Sequence, residues 1–373
     1  MKTTMKKRLL AMLMCGAMAL GLTACGGSGG TSGSGDSGNS GDSANSANST
    51  DSGAGTSDAG GASAEVVINV GYENAVTEPA AQACEKWKEL VDERSGGTIS
   101  LELFPNSTLG KKNDLIDQML MGENIITVAD GAFLAEYGVK DFGFFYAPYA
   151  FENWDELWKV LDSDWYADLC DQLAATGGLR VLSSNWIYGA RDILSIKPVH
   201  TPADLSGLKL RVSSNDLSTT SFQDLGAIAV GMDMGDVYQA MSGGTIDAVE
   251  NPISSLYNRS FQEVAKYLCK NEHILATSMW ICGETFFSTL TEEQQQILME
   301  CADEAGLVNN ELYDEVTAEA EQGMKDAGVT IYELTDEDKA AWVEASQKFF
   351  AEATGSMGWT DGLYDMVKEI AAS

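Results

Sequence analysis

The chain is 373 residues long and carries 56 Asp and Glu against 23 Lys and Arg, a formal charge of −33 at pH 7. A surface this acidic argues against nucleic acid and against docking on anionic lipid. Its two histidines, with no HExxH, no Cys-x-x-Cys and no His cluster, offer no ligand set for a transition metal, and no cofactor is expected.

At the start of the chain, Lys2, Lys6, Lys7 and Arg8 precede an apolar run over residues 9–22, and Leu22-Thr-Ala-Cys25 follows. A basic start, a short apolar run and small residues before a cut make residues 1–24 a secretory signal, too short for a stable span. The Cys directly after Leu-Thr-Ala resembles a bacterial lipobox, so Cys25 is expected to become a lipidated N-terminus. Such a lipid anchor would hold the protein on the outer face of the bacterial cytoplasmic membrane, extracellular or periplasmic. Residues 26–64 are Gly, Ser, Asn, Asp, Ala and Thr, with no large apolar side chain. That composition cannot offset its own ordering entropy, so 25–64 is read as a disordered Gly/Ser-rich tether. The fold is expected from about Glu65, and what remains is ample for two lobes.

Strands are predicted over 66–71, 98–104 and 125–129, with helices over 79–94 and 112–121 between them. Gly96-Gly97 and Gly122 stop the two helices. This β-α-β-α-β run implies an open α/β sheet. Residues 142–151 are dense in aromatics and read as a packed crossing, and 154–172 as one or two helices. A strand over 179–188 leads into Arg191. Thr201-Pro-Ala-Asp204 is a capping box opening a single turn. The strand 208–212 carries Arg211. Helices over 216–225 and 233–241 precede a short strand, 246–252, that ends at a proline, and 279–290 reads as a long strand. Thr291-Glu-Glu-Gln294 then caps a helix whose apolar spacing is sustained to Gly328. At 1.5 Å per residue it is about 54 Å long, more than one small lobe, so it should run along two. A strand over 329–332 and helices over 335–353 and 364–371 finish the chain.

Arg191 and Arg211 stand twenty residues apart in apolar, strand-like settings, in a chain whose overall field repels anions. Arginine is a planar, permanently charged fork that clamps a carboxylate through two hydrogen bonds; the alternative for each is pairing with an internal acid. Beyond Cys15 and Cys25, five cysteines at scattered spacing form no disulfide framework and read as reduced, buried small hydrophobes. The alternative for one pair is a Cys269–Cys282 bridge.

An ordered run, Gly207-Leu-Lys-Leu-Arg211-Val212, Gly226-Ala227, Met232, Asp236-Val-Tyr238 and Asp247-Ala-Val-Glu250-Asn251-Pro252, resembles the solute-binding proteins of tripartite ATP-independent periplasmic (TRAP) transporters, the DctP family. Size and the long helix extend the resemblance from residue 65 to the C-terminus. Ala229 and Gly231 stand where many members have prolines, Ala248 where Gly is usual, and Met234 where a ligand-facing aromatic often aligns. The resemblance implies a two-lobed periplasmic-binding-protein-like α/β fold with a long helix spanning both lobes. The first lobe would be 65–188 plus about 277–316, the second 189–276 plus about 317–373, with hinges near Tyr188–Gly189 and Ala276–Met279. It also implies Arg211 as the main carboxylate clamp, Arg191 as a second basic contact and Asn251 as an amide that bonds the ligand.

Asn74, Asp130 and Trp186 are added by position. The first two follow strands at their carboxyl ends, where open α/β sheets bind ligands, and Trp186 shortly precedes Arg191. The expected function is capture of a small organic acid (a C4-dicarboxylate, uronate, keto acid or similar) and its delivery to the small and large membrane subunits of a TRAP transporter. The rivals are an ABC-type sugar or peptide lipoprotein, a membrane-bound sensor, and an extracellular hydrolase working through paired carboxylates. No Gly-x-Ser-x-Gly elbow or Cys/His dyad supports the last.

Overall fold

The computed structural model describes residues 66–373. The expected signal peptide, the expected lipidation site Cys25 and the expected tether lie outside the described residues. The first three strands, β1 (Val66–Gly71), β2 (Ile99–Phe104) and β3 (Ile125–Ala129), are parallel, with β1 in the middle. Two helices make the crossovers, α1 (Pro79–Ser95) and α2 (Lys112–Leu120). Pro79 opens α1, and Gly96 closes it in the left-handed region at φ 61°, where a side chain would be strained. Because the three strands are parallel, their carboxyl ends meet at one edge of the lobe.

The aromatic crossing is as dense as the sequence suggests. Phe144 packs edge-on against Phe151 and tilted against Phe350, Trp359 and Tyr364, while Phe145 stacks on Trp165. The 154–172 stretch is two helices, α3 (Trp154–Leu161) and α4 (Asp164–Gln172). Each has its own N-cap: Asn153 Oδ1 accepts from the Glu156 N–H at 3.0 Å, and Ser163 Oγ from the Tyr166 N–H at 3.2 Å.

β4 (Leu179–Ser195) does not end before Arg191. It continues for 17 residues and pairs antiparallel with an equally long β8 (Tyr267–Gly283). Between them come β5 (Lys209–Val212), α5 (Asp216–Asp224), β6 (Ile228–Gly231), α6 (Val237–Ser242), β7 (Ala248–Pro252) and α7 (Ile253–Asn258). The strands β4 and β8 run from one lobe into the other, so a single sheet of order β2-β1-β3-β8-β4-β7-β5-β6 serves both. The ladder between them slips at four places, one of them between Ile187 and Gly189. Gly189 sits there at φ 137°, and a Cβ on it would press on Pro252 at 2.9 Å.

β8 begins twelve residues before the predicted strand and stops at Gly283. There the chain passes so close to the Met119 carbonyl that a Cβ would overlap it. Residues 284–287 make a helical turn instead, burying Phe286 and Phe287 without a ladder. The Lys270-Asn-Glu-His273 run hides the strand's early half, because it breaks the apolar alternation and Glu272 adopts φ 44°. Cys269 and Cys282 carry free thiols at opposite ends of β8. Thirteen residues of strand put them about 40 Å apart, so that bridge does not exist.

The long helix α8 (Glu292–Asp326) has 35 residues and the expected Thr291/Gln294 capping box. Its first half buries Leu298, Cys301, Ala302 and Ala305 among Trp87, Trp186 and Trp280 of the first lobe. Its end buries Met324 with Phe261 and Leu268 of the second. A Cβ at Gly306 would overlap Asn185, and one at Gly323 would overlap Tyr257, so each lobe docks on the helix through a glycine. In mid-course the helix is tied to β4: Asn309 Nδ2 donates to the Ile187 carbonyl at 2.9 Å, and the Ile187 N–H donates to Asn310 Oδ1 at 2.7 Å. β9 (Thr330–Glu333) pairs parallel with β8, and α9 (Asp336–Ser356) and α10 (Leu363–Ala372) follow. Trp342 of α9 packs in the second lobe, whereas Phe349, Phe350, Leu363 and Val367 join the aromatic cluster of the first. The C-terminal stretch therefore contributes to both clusters. No helix among the described residues is long and apolar enough to cross a membrane.

Candidate ligand-binding cleft

A cavity of about 50 Å³ lies between the lobes, at the carboxyl ends of β1, β3 and β5. Glu73 and Asn74 come to it from β1, Asp130 from β3, Ser213 from β5, and Asn251 from β7. Tyr188 and Arg191 enter from β4, Thr277 and Ser278 from β8, and Lys112 from the first turn of α2. Parallel strands gather their ends; the two crossing strands supply the floor.

Arg191 is 2 % exposed and paired within the protein. Its Nε and Nη2 donate to Glu250 Oε2 and Oε1 at 2.5 and 2.6 Å, and Nη2 also reaches the Glu250 carbonyl at 3.2 Å. The Tyr146 and Tyr188 rings cover the guanidinium at 5.1 and 5.8 Å. Burial by itself would raise the Glu250 carboxyl, but the Arg191 charge and the His273 Nε2 contact at 3.4 Å bring it down to about 2. The His273 imidazole is pushed down by burial, against the pull of Glu250. The internal-acid alternative therefore holds for Arg191 on its Nε/Nη2 edge, whose charge Glu250 balances, while Nη1 makes no hydrogen bond within the described residues.

Arg211, 4 % exposed, has no such partner. Nε and Nη2 both donate to the Met232 carbonyl, at 2.8 and 2.6 Å. Nη1 is buried without a hydrogen bond, and no carboxylate among the described residues forms an ion pair with this side chain. Burial pulls the guanidinium below its usual range; Glu250 opposes this and the nearby Arg191 adds to it. A buried, unpaired cation with an idle donor is costly unless an anion supplies the missing charge and acceptor. Asn251, fully buried, is similar in kind: Oδ1 has no partner, and Nδ2 reaches only the Met234 sulfur at 3.8 Å.

The opposite wall is differently balanced. Lys112 pairs with Glu73 at 3.1 Å, and Asn74 Nδ2 donates to Glu78 Oε2 at 2.9 Å. Asp130 Oδ1 accepts from the Ala132 and Phe133 N–H groups, capping a helical turn, and burial raises its carboxyl against the pull of Lys112. Arg259, just after α7, donates from Nη2 to the Glu73 carbonyl at 2.6 Å and lies 3.9 Å from Glu78 Oε1.

Of the residues singled out in the sequence, Arg191, Arg211, Asn251, Asn74 and Asp130 meet at this cavity. Trp186 does not. It is fully buried behind the sheet, with Nε1 donating to the Ala302 carbonyl at 3.0 Å and its ring packed on Trp87 and Trp280. It is a core residue where α1 and α8 cover the strand. Glu73, Lys112, Arg259, Ser213, Thr277 and Ser278 were not singled out. Lys112 carried one signal: a lysine in the first turn of a helix opposes the helix dipole and calls for a nearby anion.

Residues 70–355 match the family model of the bacterial extracellular solute-binding proteins, family 7, DctP. The 2,3-diketo-L-gulonate-binding periplasmic protein YiaO of Escherichia coli K12 is 32% identical over 74% of this chain and 84% of its own. The C4-dicarboxylate-binding periplasmic protein DctP of Rhodobacter capsulatus is 30% identical over 75% and 84%. Among solved structures, a TRAP periplasmic solute-binding protein from Ochrobacterium anthropi with bound L-fuconate is 39% identical, with a TM-score of 0.77 over 82% of this chain and 99% of that one. The family is one of solute-binding proteins rather than enzymes. With its two lobes on one sheet, its bracing helix and a match spanning most of its length, the chain belongs to family 7 of the bacterial extracellular solute-binding proteins.

Proposed function

We propose that this protein captures a polyhydroxylated monocarboxylate, a sugar acid of the aldonate or uronate class, and delivers it to the membrane subunits of a TRAP transporter. One observation carries the reading. Arg211 is a buried cation with an idle donor and no acid partner, whereas Lys112 and Arg259, the cations beside Glu73, already have acids next to them. One carboxylate is called for, at Arg211, with Asn251 and Arg191 lining the same cavity. A second carboxylate, as in a C4-dicarboxylate, would meet Glu73 and Asp130 across the cavity. Hydroxyl groups suit that wall, because its paired charges offer acceptors and donors together. The relatives that bind diketogulonate and L-fuconate support this choice over the dicarboxylate-binding relative.

Closure about Tyr188–Gly189 and Ala276–Met279 would bury the ligand. The lipobox supports a tethered protein on the outer face of the membrane. In the test of the anchor, Cys25→Ser should lose lipid labelling and be released from the membrane; an unlabelled protein that stays bound would end it. The ligand reading is tested by calorimetry on the 65–373 fragment with L-fuconate, L-galactonate, D-glucuronate and succinate. Tight binding of an aldonate or uronate and weak binding of succinate is expected, and the reverse order refutes the reading.

A further inference from the structure

We infer that Arg259 is a third arginine of the ligand site, which bonds the hydroxylated end of the ligand and does so only when the lobes are closed. The inference rests on the sugar-acid reading.

Arg259 belongs to the second lobe, one residue past the end of α7. Its Nη2 crosses the cleft to the Glu73 carbonyl of the first lobe at 2.6 Å, and the same nitrogen lies 3.9 Å from the Glu78 carboxylate, itself nearly fully buried. Its Nε is buried and has no hydrogen-bond partner, and the side chain lines the cavity beside Asn74 and Lys112. A guanidinium is a rigid planar fork, so fixing Nη2 on a carbonyl also fixes the direction of Nε. An idle buried donor held in a cavity wall calls for an oxygen. Glu78 already supplies countercharge, so that oxygen can be neutral, a hydroxyl or a carbonyl; a second carboxylate is not required.

The contact spans the lobes, which sets it apart from Lys112, whose partner Glu73 is in its own lobe. Opening the cleft would separate Arg259 from the Glu73 carbonyl and withdraw Nε from the ligand together. Ligand and closure therefore share one side chain, and its loss should appear chiefly in the rate of release.

The experiment compares wild type, Arg259→Gln and Arg259→Lys by calorimetry and stopped-flow, with L-galactonate and with threonate, a four-carbon aldonate that keeps the carboxylate and lacks the two terminal carbons. The wild type should bind L-galactonate more tightly than threonate. Arg259→Gln should weaken L-galactonate roughly ten- to a hundredfold, mostly through faster release, and threonate less than about threefold. Arg259→Lys, which keeps the charge and lacks the planar fork, should resemble Arg259→Gln and serves if the latter folds poorly. Equal losses for both ligands would make Arg259 a closure strut without a ligand contact, and no loss would remove it from the site. Either outcome overturns the inference while leaving the sugar-acid reading standing; a wild type that binds succinate and neither aldonate overturns both.

Discussion

The two walls of the cleft hold the same kinds of side chain in opposite electrostatic states. On the second-lobe side, Arg191 and Arg211 share one acid, Glu250, and Arg191 takes both of its oxygens. On the other side, Lys112 of the first lobe and Arg259, reaching across from the second, face Glu73, Glu78 and Asp130. Counting basic residues would assign an anion to either wall. Counting charges left over assigns it only to Arg211. Arg191 has spent its charge on an acid, and Arg211 remains free of one.

The largest effect should come from breaking the spent arginine. Glu250→Ala leaves Arg191 as a buried charge with no acid, and loss of one member of a buried pair costs about 3–5 kcal/mol. Urea unfolding of the variant should show that loss in global stability; an unchanged midpoint would mean that Arg191 reaches solvent or another partner. Arg211→Lys is the counterpart, with little effect on folding expected. Lysine keeps the charge and loses the fork, so binding of the best aldonate should weaken by about 2–5 kcal/mol, or roughly thirty- to several-thousandfold. If calorimetry instead shows wild-type affinity, the carboxylate is not at Arg211 and the comparison of walls collapses.

The distinction between spent and free could not be read from the sequence, although most of the frame could. Strand ends are legible because Asn74 and Asp130 follow apolar strands and Asn251 stands near the end of one, before Pro252. The 35-residue helix is legible because its cap and spacing are local. Pairing is not local: Glu250 reaches Arg191 only because β7 runs beside the second half of β4, from Arg191↔Pro252 to Ser195↔Ala248. Trp186 lies near Arg191 in sequence yet is taken by α1 and α8 higher up the same strand. Arg259 was hidden because α7 has six residues, too few to show a helical period, and follows directly on a proline. β6 escaped notice as a four-residue edge strand whose residues are all partly or largely exposed.

Acid should act on the spent pair and not on the free arginine. The folded Glu250 carboxyl titrates near 2 against an ordinary value of about 4.3. The unfolded chain therefore takes up this proton first, and the stability it confers is present above pH 4.3. It is lost as pH falls from there through about 2, a loss on the order of 3 kcal/mol. His273, pushed down by burial, has the same sign: its share is present above its unfolded value of about 6.5 and declines below it. Stability measured in urea from pH 7 to 2 should fall in both windows, and Glu250→Gln should flatten the lower one. A variant that tracks the wild type between pH 4.3 and 2 would place the acid sensitivity elsewhere.

The smallest effect should come from a third class of contact, neither buried nor at the ligand. At the rim of the cleft Lys111 pairs with Asp233 at 2.5 Å and lies 3.8 Å from Asp236, joining first lobe to second, with the lysine side chain 60 % exposed. Like Arg259, it crosses the cleft; unlike Arg259, it stands in water. An exposed pair gains little from Coulomb attraction in high dielectric, loses side-chain entropy on forming, and is screened by salt. If burial is what gives an inter-lobe contact its strength, Lys111→Ala should raise the dissociation constant of an aldonate by less than about fivefold. The change should appear in the release rate and shrink as salt rises from 0.05 to about 1 M. Arg259→Gln should keep most of its effect across the same range, because its partners are out of solvent. A salt-independent loss at Lys111 larger than that at Arg259 would reverse this ranking, and would make the rim, rather than the buried wall, the element that holds the lobes together.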